Sequence, residues 1–297
     1  MADITKHPHY VYRYYLRAWA PDEQIYCLRE RKKLFPTNLM NIGQESGFYE
    51  FKICTDEEIT VGYHYAENGF ENIMHMYKWV NYELKIASVQ SDEQRNNELL
   101  DFAKQFEETH FNCKVENRLK KVLPLLYKKD FSFFYDETIA MEFFHAIAEQ
   151  YCRTKKMKEG TINAVSALEN PNIRGENVWL LIRHSIAAKI GLFLFSEKYQ
   201  VCLLESADGY FITSDQPIVN IHAGYGNVIP DNFELYYPIA PHLSLMISKQ
   251  EKYPDKTIVS VNEVEAMSWN DRIVNLSYNQ LFSDKKTILE NYKIANS

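Results

Sequence analysis

Between residues 197 and 199 the spacing of apolar residues changes from that of a helix to that of a strand, and this switch limits the possible architectures. From about residue 68 to 197 the pattern is helical. Val115, Leu119, Val122, Leu123 and Leu126 fall at i, i+4, i+7, i+8 and i+11, one apolar stripe, with Pro124 inside it as an expected kink. Ile139, Phe143, Ile147 and Tyr151 repeat at strict i+4 spacing. A further apolar helix runs through Val178, Trp179, Ile182, Ile186 and Ile190. From 199 to 262 the period is two, and Gln200–Glu205, Gly209–Thr213, Leu235–Ile239, Leu243–Ile247 and Thr257–Val261 read as strands. Ala207-Asp208-Gly209 is a hairpin signal. Residues 263–295 return to a helical pattern. Near the N-terminus Gln24–Arg29 reads as a strand, Tyr10–Arg17 as a strand or short helix, Pro36-Thr37-Asn38 as a turn and 39–42 as a short strand. Strands and helices are therefore segregated, not alternating. The expected class is α+β: one domain over 1–297, with a helical region packed on a mixed or antiparallel sheet from the N-terminal and 199–262 segments. Its lobes are 68–197 (helical), 199–262 (β-rich) and the C-terminal helices 263–295.

Within the β-rich part, the run Gly209-Tyr210-Phe211-Ile212-Thr213-Ser214-Asp215-Gln216-Pro217 places a carboxylate where an apolar strand stops. Pro217 has no N–H for a ladder and restricts Gln216 to extended backbone. Asp215 at such a strand end suits a site. It suits equally a turn in which Asp and Ser satisfy local amides.

The net charge of −7 excludes a general basic field for nucleic acid. It leaves room for a local basic cleft, because cations cluster at 29–33, 118–121 and 153–158. The five cysteines are odd in number, far apart and without a Cys-x-x-Cys, which argues against a disulfide framework or a thiolate zinc site. The N-terminus has no apolar signal region, and no run of some 18 apolar residues is evident. A reducing cytoplasm, with no membrane partner, is the expectation.

His7-Pro8-His9 puts two imidazoles on one side of an extended chain, a spacing that can bind a divalent metal but is more often an exposed pair. His9 alone, opening an aromatic and basic segment, suits a general base. Glu149 and Arg153 are i, i+4 and suit a helix-supporting ion pair, while Gln150 and Arg153 face one way at i, i+3. Followed by Lys155, Lys156 and Lys158, Arg153 can hold a phosphate or carboxylate bidentately, or simply close a solvated basic helix end. Glu116, in a first helical turn, means little taken singly. There is no Gly-rich phosphate loop, His-Glu-x-x-His, Gly-x-Ser-x-Gly or Rossmann fingerprint. Arg174, Arg183 and His184 lack the spacing of helical ribonucleases, so any site must be assembled from distant segments.

Several of these segments together resemble a bacterial domain-of-unknown-function family, number four-two-three-eight. His9 to Arg17 resembles its His-x-Val-Pro-x-x-Tyr-Leu-Arg opening. Then come, in order, a helical Glu matched by Glu116, a Gln-x-x-Arg-Thr matched by Gln150, Arg153 and Thr154, and a Thr-Ser-Asp-x-Pro matched by Thr213 to Pro217. A Pro-Leu-Ser-Pro is matched by 238–241, and an Asn on the final helix by Asn279. Tyr12 and Lys155 stand where the family has proline, and Ile239-Ala240 where it has Leu-Ser. The resemblance implies that these mostly polar, ionisable positions form a site.

On that basis the first expectation is a metal-dependent hydrolase, a nuclease or phosphodiesterase. His9, Glu116 and Asp215 would serve as acid–base groups or as ligands of Mg²⁺ or Mn²⁺, and Gln150, Arg153, Ser214 and Asn279 would hold a nucleic acid or nucleotide. Its setting would be a bacterial defence or toxin effector. The second expectation is a non-enzymatic sensor or protein-interaction module in bacterial stress or phage defence, with the same residues as a buried network and a tyrosine-rich surface for a protein partner.

Overall fold

The structure is a computed structural model that describes residues 8–66, 71–223 and 232–294. His7, half of the proposed His-x-His pair, lies outside the described residues. The chain runs α1 (Arg13–Leu16), β1 (Gln24–Arg29), β2 (Lys33–Asn38), α2 (Asp56–Ala66), α3 (Glu71–Val89), α4 (Glu93–Glu107), α5 (Cys113–Tyr127), α6 (Glu137–Cys152), α7 (Lys155–Ser166) and α8 (Gly175–Ser196). It continues with β3 (Gln200–Glu205), β4 (Thr213–Ser214), β5 (Val219–Asn220), β6 (Leu235–Ala240), β7 (Leu243–Ser248), β8 (Ile258–Ser260), α9 (Glu263–Leu276), β9 (Gln280–Ser283) and α10 (Lys286–Glu290). This is an α+β fold. The strands form two sheets, ordered β2-β1-β9-β4 and β5-β6-β7-β3-β8. The named strands pair antiparallel except β3 with β8.

The helices start where their sequences supply a cap. Asp136 accepts from the N–H groups of Thr138 (2.9 Å) and Ile139 (3.2 Å) at the head of α6. Asn262 and Glu265 make a capping box at the head of α9. The antiparallel pair α6 and α8 is the axis of the helical region. Small residues let them close up: a Cβ added at Gly191 would sit 2.8 Å from the His145 Cα, and Ala148, Cys152 and Ala187 form a small cluster between the two. One apolar cluster runs without a break from Tyr10–Trp19 through the helices to Leu203, Tyr237, Leu245 and Phe282 of the sheets.

Several local expectations are corrected. The 39–42 segment is a 3₁₀ turn (Leu39–Asn41), started by Asn38, whose side chain accepts from the Met40 N–H. Pro36 lies within β2, an edge strand, where a missing N–H costs little. The Ala207-Asp208-Gly209 signal makes no hairpin, because β3 pairs with β7 and β8. Only Thr213–Ser214 of the expected Gly209–Thr213 strand joins a ladder. The Phe211 N–H goes to the Pro241 carbonyl (2.7 Å) and that of Ile212 to Asn270 Oδ1 (2.9 Å), which removes both from the sheet. The C-terminal region is not all helix. The fully buried β9 interrupts it and pairs with both β1 and β4, so Asn279 lies in the turn before β9, not on a final helix. Residues 108–112 form a π-helical segment between α4 and α5, and α5 continues through Pro124 to Tyr127. Among the described residues, α8 is long and apolar enough by length and composition to cross a membrane. It lies against α6, and 61% of its apolar window is buried inside the fold.

Candidate functional site

The C-terminal end of α6 is where the separated motifs meet. Gln150 Nε2 donates to the Tyr10 carbonyl (3.1 Å), and Arg153 Nη2 donates to the His9 carbonyl (2.6 Å). Thr154 Oγ1 donates to Gln216 Oε1, while Gln216 Nε2 donates to the Ile218 carbonyl (2.7 Å). The N-terminal segment, the end of α6 and the Thr-Ser-Asp-Gln-Pro segment thus form one hydrogen-bonded junction.

Most of the polar groups in this junction are used up by it. Asp215 is fully buried and does not point to solvent. Its Oδ1 accepts from the Tyr278 N–H (2.9 Å), and its Oδ2 from those of Asn279 (2.8 Å) and Gln280 (2.9 Å). The carboxyl clamps the turn that leads into β9. Burial lifts its pKa to about 6, against the pull of those three N–H groups and of Lys156. Ser214 Oγ donates to the Gln216 carbonyl (2.9 Å) and accepts from the Gln216 N–H (3.1 Å), a local turn. Asn279 contributes its backbone to the clamp, and its Oδ1 is buried without a partner, as is Gln150 Oε1.

His9 lies beside this junction. Its Nε2 faces the Leu39 carbonyl at 3.2 Å, so Nε2 carries the proton and Nδ1 is left as an acceptor. Burial, with the charges of Arg13 and Arg153, holds the imidazole below its ordinary pKa, while Glu116 pulls the other way. Glu116 is thus within electrostatic reach of His9, and is ion-paired to Lys120 at 3.3 Å along α5. Among the described residues no three His, Cys, Asp or Glu side chains are grouped as a metal ion requires. His9, Glu116 and Asp215 are therefore not assembled as the expected ligand set. The oxygens of Asp215 are already taken by backbone N–H groups.

Arg153 departs most from its expected role. The i, i+4 ion pair with Glu149 is not made. Arg153 Nε donates to the Tyr49 hydroxyl (2.9 Å), and the guanidinium lies 4.0 Å from the Tyr12 ring centroid and 5.4 Å from that of Tyr49. The residue is 4% exposed, its Nη1 is buried with no partner, and among the described residues no carboxylate reaches it as an ion pair.

Glu149 is held elsewhere. His184 Nδ1 lies 2.9 and 3.1 Å from its two oxygens, and His145 Nε2 lies 3.5 Å from Oε1. His184 Nε2 reaches Glu107 Oε2 at 3.2 Å, and Arg183 binds the same oxygen. The imidazole stacks on Phe111 of the π segment, with centroids 3.5 Å apart. Burial would raise Glu107 and Glu149. Arg183 and His184 outweigh it at Glu107, and His184 and His145 outweigh it at Glu149, so both carboxyls sit below their usual range. Two ionised carboxylates accept only, so both ring nitrogens of His184 donate. Arg183 also packs on the rings of Tyr49 (4.7 Å) and Trp179 (4.8 Å), so Tyr49 lies near two guanidinium groups.

Sequence reasoning missed Glu107, Tyr49, His145, Arg183 and His184 as parts of this centre. The available signal was Arg183-His184, two ionisable residues in the middle of an apolar helix, which cannot be buried without counter-charges. No curated protein matches the chain, and no solved structure does. The model of the DUF4238 family, described as a protein of unknown function, matches residues 7–287, and the chain belongs to that family.

Proposed function

We propose that the chain is a phosphate-ester hydrolase that receives the anionic group of its substrate at Arg153. The observation that carries this reading is the state of that guanidinium: buried, without a counter-ion among the described residues, and with Nη1 unpartnered. A permanently charged group in that condition is costly unless an anion completes it, and guanidinium groups match phosphate oxygens well. His9 supports hydrolysis. It is biased toward the neutral form and keeps Nδ1 as an acceptor, the requirements of a general base for water. Glu116 is the carboxylate whose charge reaches His9 and favours its protonated form as it takes a proton from water. Nucleotides, RNA and DNA are the first substrates to test, in keeping with a nuclease or phosphodiesterase.

The test is hydrolysis of those three substrate classes with and without Mg²⁺ or Mn²⁺. Wild type is expected to cleave at least one, and Arg153→Gln to lower kcat/KM by roughly 100-fold. A wild type inert on all of them, or an Arg153→Gln variant of full activity, sinks the reading. A second reading, a non-enzymatic sensor, draws support from Asp215, Ser214 and Gln216, whose polar groups are used on internal contacts. Nucleotide binding without cleavage, together with a stoichiometric protein partner, would favour it.

A further inference from the structure

We infer that His184 is a positioning residue that keeps Glu149 away from Arg153 and so leaves the buried Arg153 guanidinium without an internal counter-ion, a place for an external anion to take. The inference rests on the reading of Arg153 as an anion receptor.

Glu149 lies in the last turn of α6 and Arg153 is its C-cap residue, four positions on, a spacing at which Glu and Arg can pair. Arg153 even feels the charge of Glu149. Yet the carboxylate turns to His184, which binds both of its oxygens. On this reading, exchanging one partner for the other is a change of side-chain rotamer at i, i+4. The competition is therefore local, and whatever fixes His184 decides it.

Every element packed around His184 helps to fix it. Glu107 at the end of α4 takes Nε2, and Arg183 on α8 holds the same Glu107 oxygen. Phe111 of the π segment lies flat on the ring. His145 of α6 supports Glu149 from the other side and is itself held through Nδ1 by Arg118 Nη1 of α5 (3.0 Å). As a bridge between two carboxylates, His184 carries a positive charge, and that charge competes with the one on Arg153. If His184 is removed or neutralised, Glu149 has only His145 and Arg153 to turn to. The ion pair at i, i+4 then forms, occupies the guanidinium and excludes the anion.

The probe is sulfate, which does not titrate near neutral pH. Calorimetric titration of wild type, His184→Gln, Glu149→Gln and the double variant is expected to give a clear order. His184→Gln should weaken sulfate binding about tenfold, and the double variant should recover it, because no carboxylate is left to compete. A folded His184→Gln protein that binds sulfate like wild type, or a double variant that stays weak, overturns the inference. If His184→Gln does not fold, Glu107→Gln, which removes the partner of His184 Nε2, takes its place in the same titrations. Sulfate affinity should again fall, and a folded Glu107→Gln protein that binds sulfate like wild type overturns the inference. A crystal structure of His184→Gln gives a readout that needs no ligand, with Glu149 expected on Arg153 and a Glu149 still turned away counting against the proposal. Failure of the underlying reading looks different: Arg153→Gln then binds sulfate as well as wild type.

Discussion

Asp215 shows how one residue type can suggest a site and turn out to hold a turn. The strand-then-proline pattern correctly marked a buried carboxylate at a strand end. The sequence could not show that the backbone N–H groups of Tyr278, Asn279 and Gln280, more than sixty residues away, would converge on it. Asp215→Ala leaves those donors facing a void and is expected to cost about 3 kcal/mol in urea unfolding. An Asp215→Ala protein of wild-type stability that has lost activity would return Asp215 to the list of functional groups. Arg153 went the other way. Read locally, it was half of a helix-supporting pair with Glu149; in the fold it is a buried cation with a free donor. The difference lies in His184, thirty-one positions further on from Arg153, and no local rule relates the two.

At the scale of elements, the helical register explains what the sequence concealed. The π segment at 108–112 adds a residue to one turn, so the stripe that ends α4 does not continue in phase into α5. Glu107 and Phe111, at i, i+4 across this junction, both reach His184; their shared face was readable, but their partner on α8 was not. Phe111→Ala is expected to cost about 3 kcal/mol through the lost packing and to broaden the His184 ring signals in NMR. Unchanged ring signals would mean that the stacking does not order the imidazole. The crossing of α6 and α8 has its own test. Gly191→Ala puts a methyl group against the His145 backbone and should destabilise the protein by about 2 kcal/mol; a neutral result would show that the two helices can separate freely. The strands were legible where six residues ran between turns, as in β1, β3, β6 and β7. The four-residue β9 was too short to show a period inside a helical neighbourhood.

For the whole molecule, the segregation of helices and strands was readable from the change of period, whereas the division into two sheets was not. The N-terminal β1 is closed by β9 from the C-terminus, a pairing across more than 250 residues. The charges buried in this architecture set its dependence on pH. Glu107 and Glu149 sit below the unfolded value of 4.5. Their contribution is therefore complete above about pH 4.5 and is lost as pH falls through their folded values. Asp215 has the opposite sign, since its folded pKa of about 6 exceeds the unfolded 3.8. Its contribution is present below about pH 4 and is lost as pH rises through about 6. Urea unfolding across this range should show acid destabilisation that weakens in Glu149→Gln and a decline between about pH 4 and 6 that flattens in Asp215→Asn. Profiles unaltered by either substitution would contradict this assignment of charges.

Arg153 as the receptor of an external anion is the central proposal. Calorimetric titration of wild type and Arg153→Gln with inorganic phosphate, at low ionic strength, tests this directly. One phosphate per wild-type chain and no measurable binding by a folded Arg153→Gln variant are the expected results; equal binding by the two proteins would contradict the account.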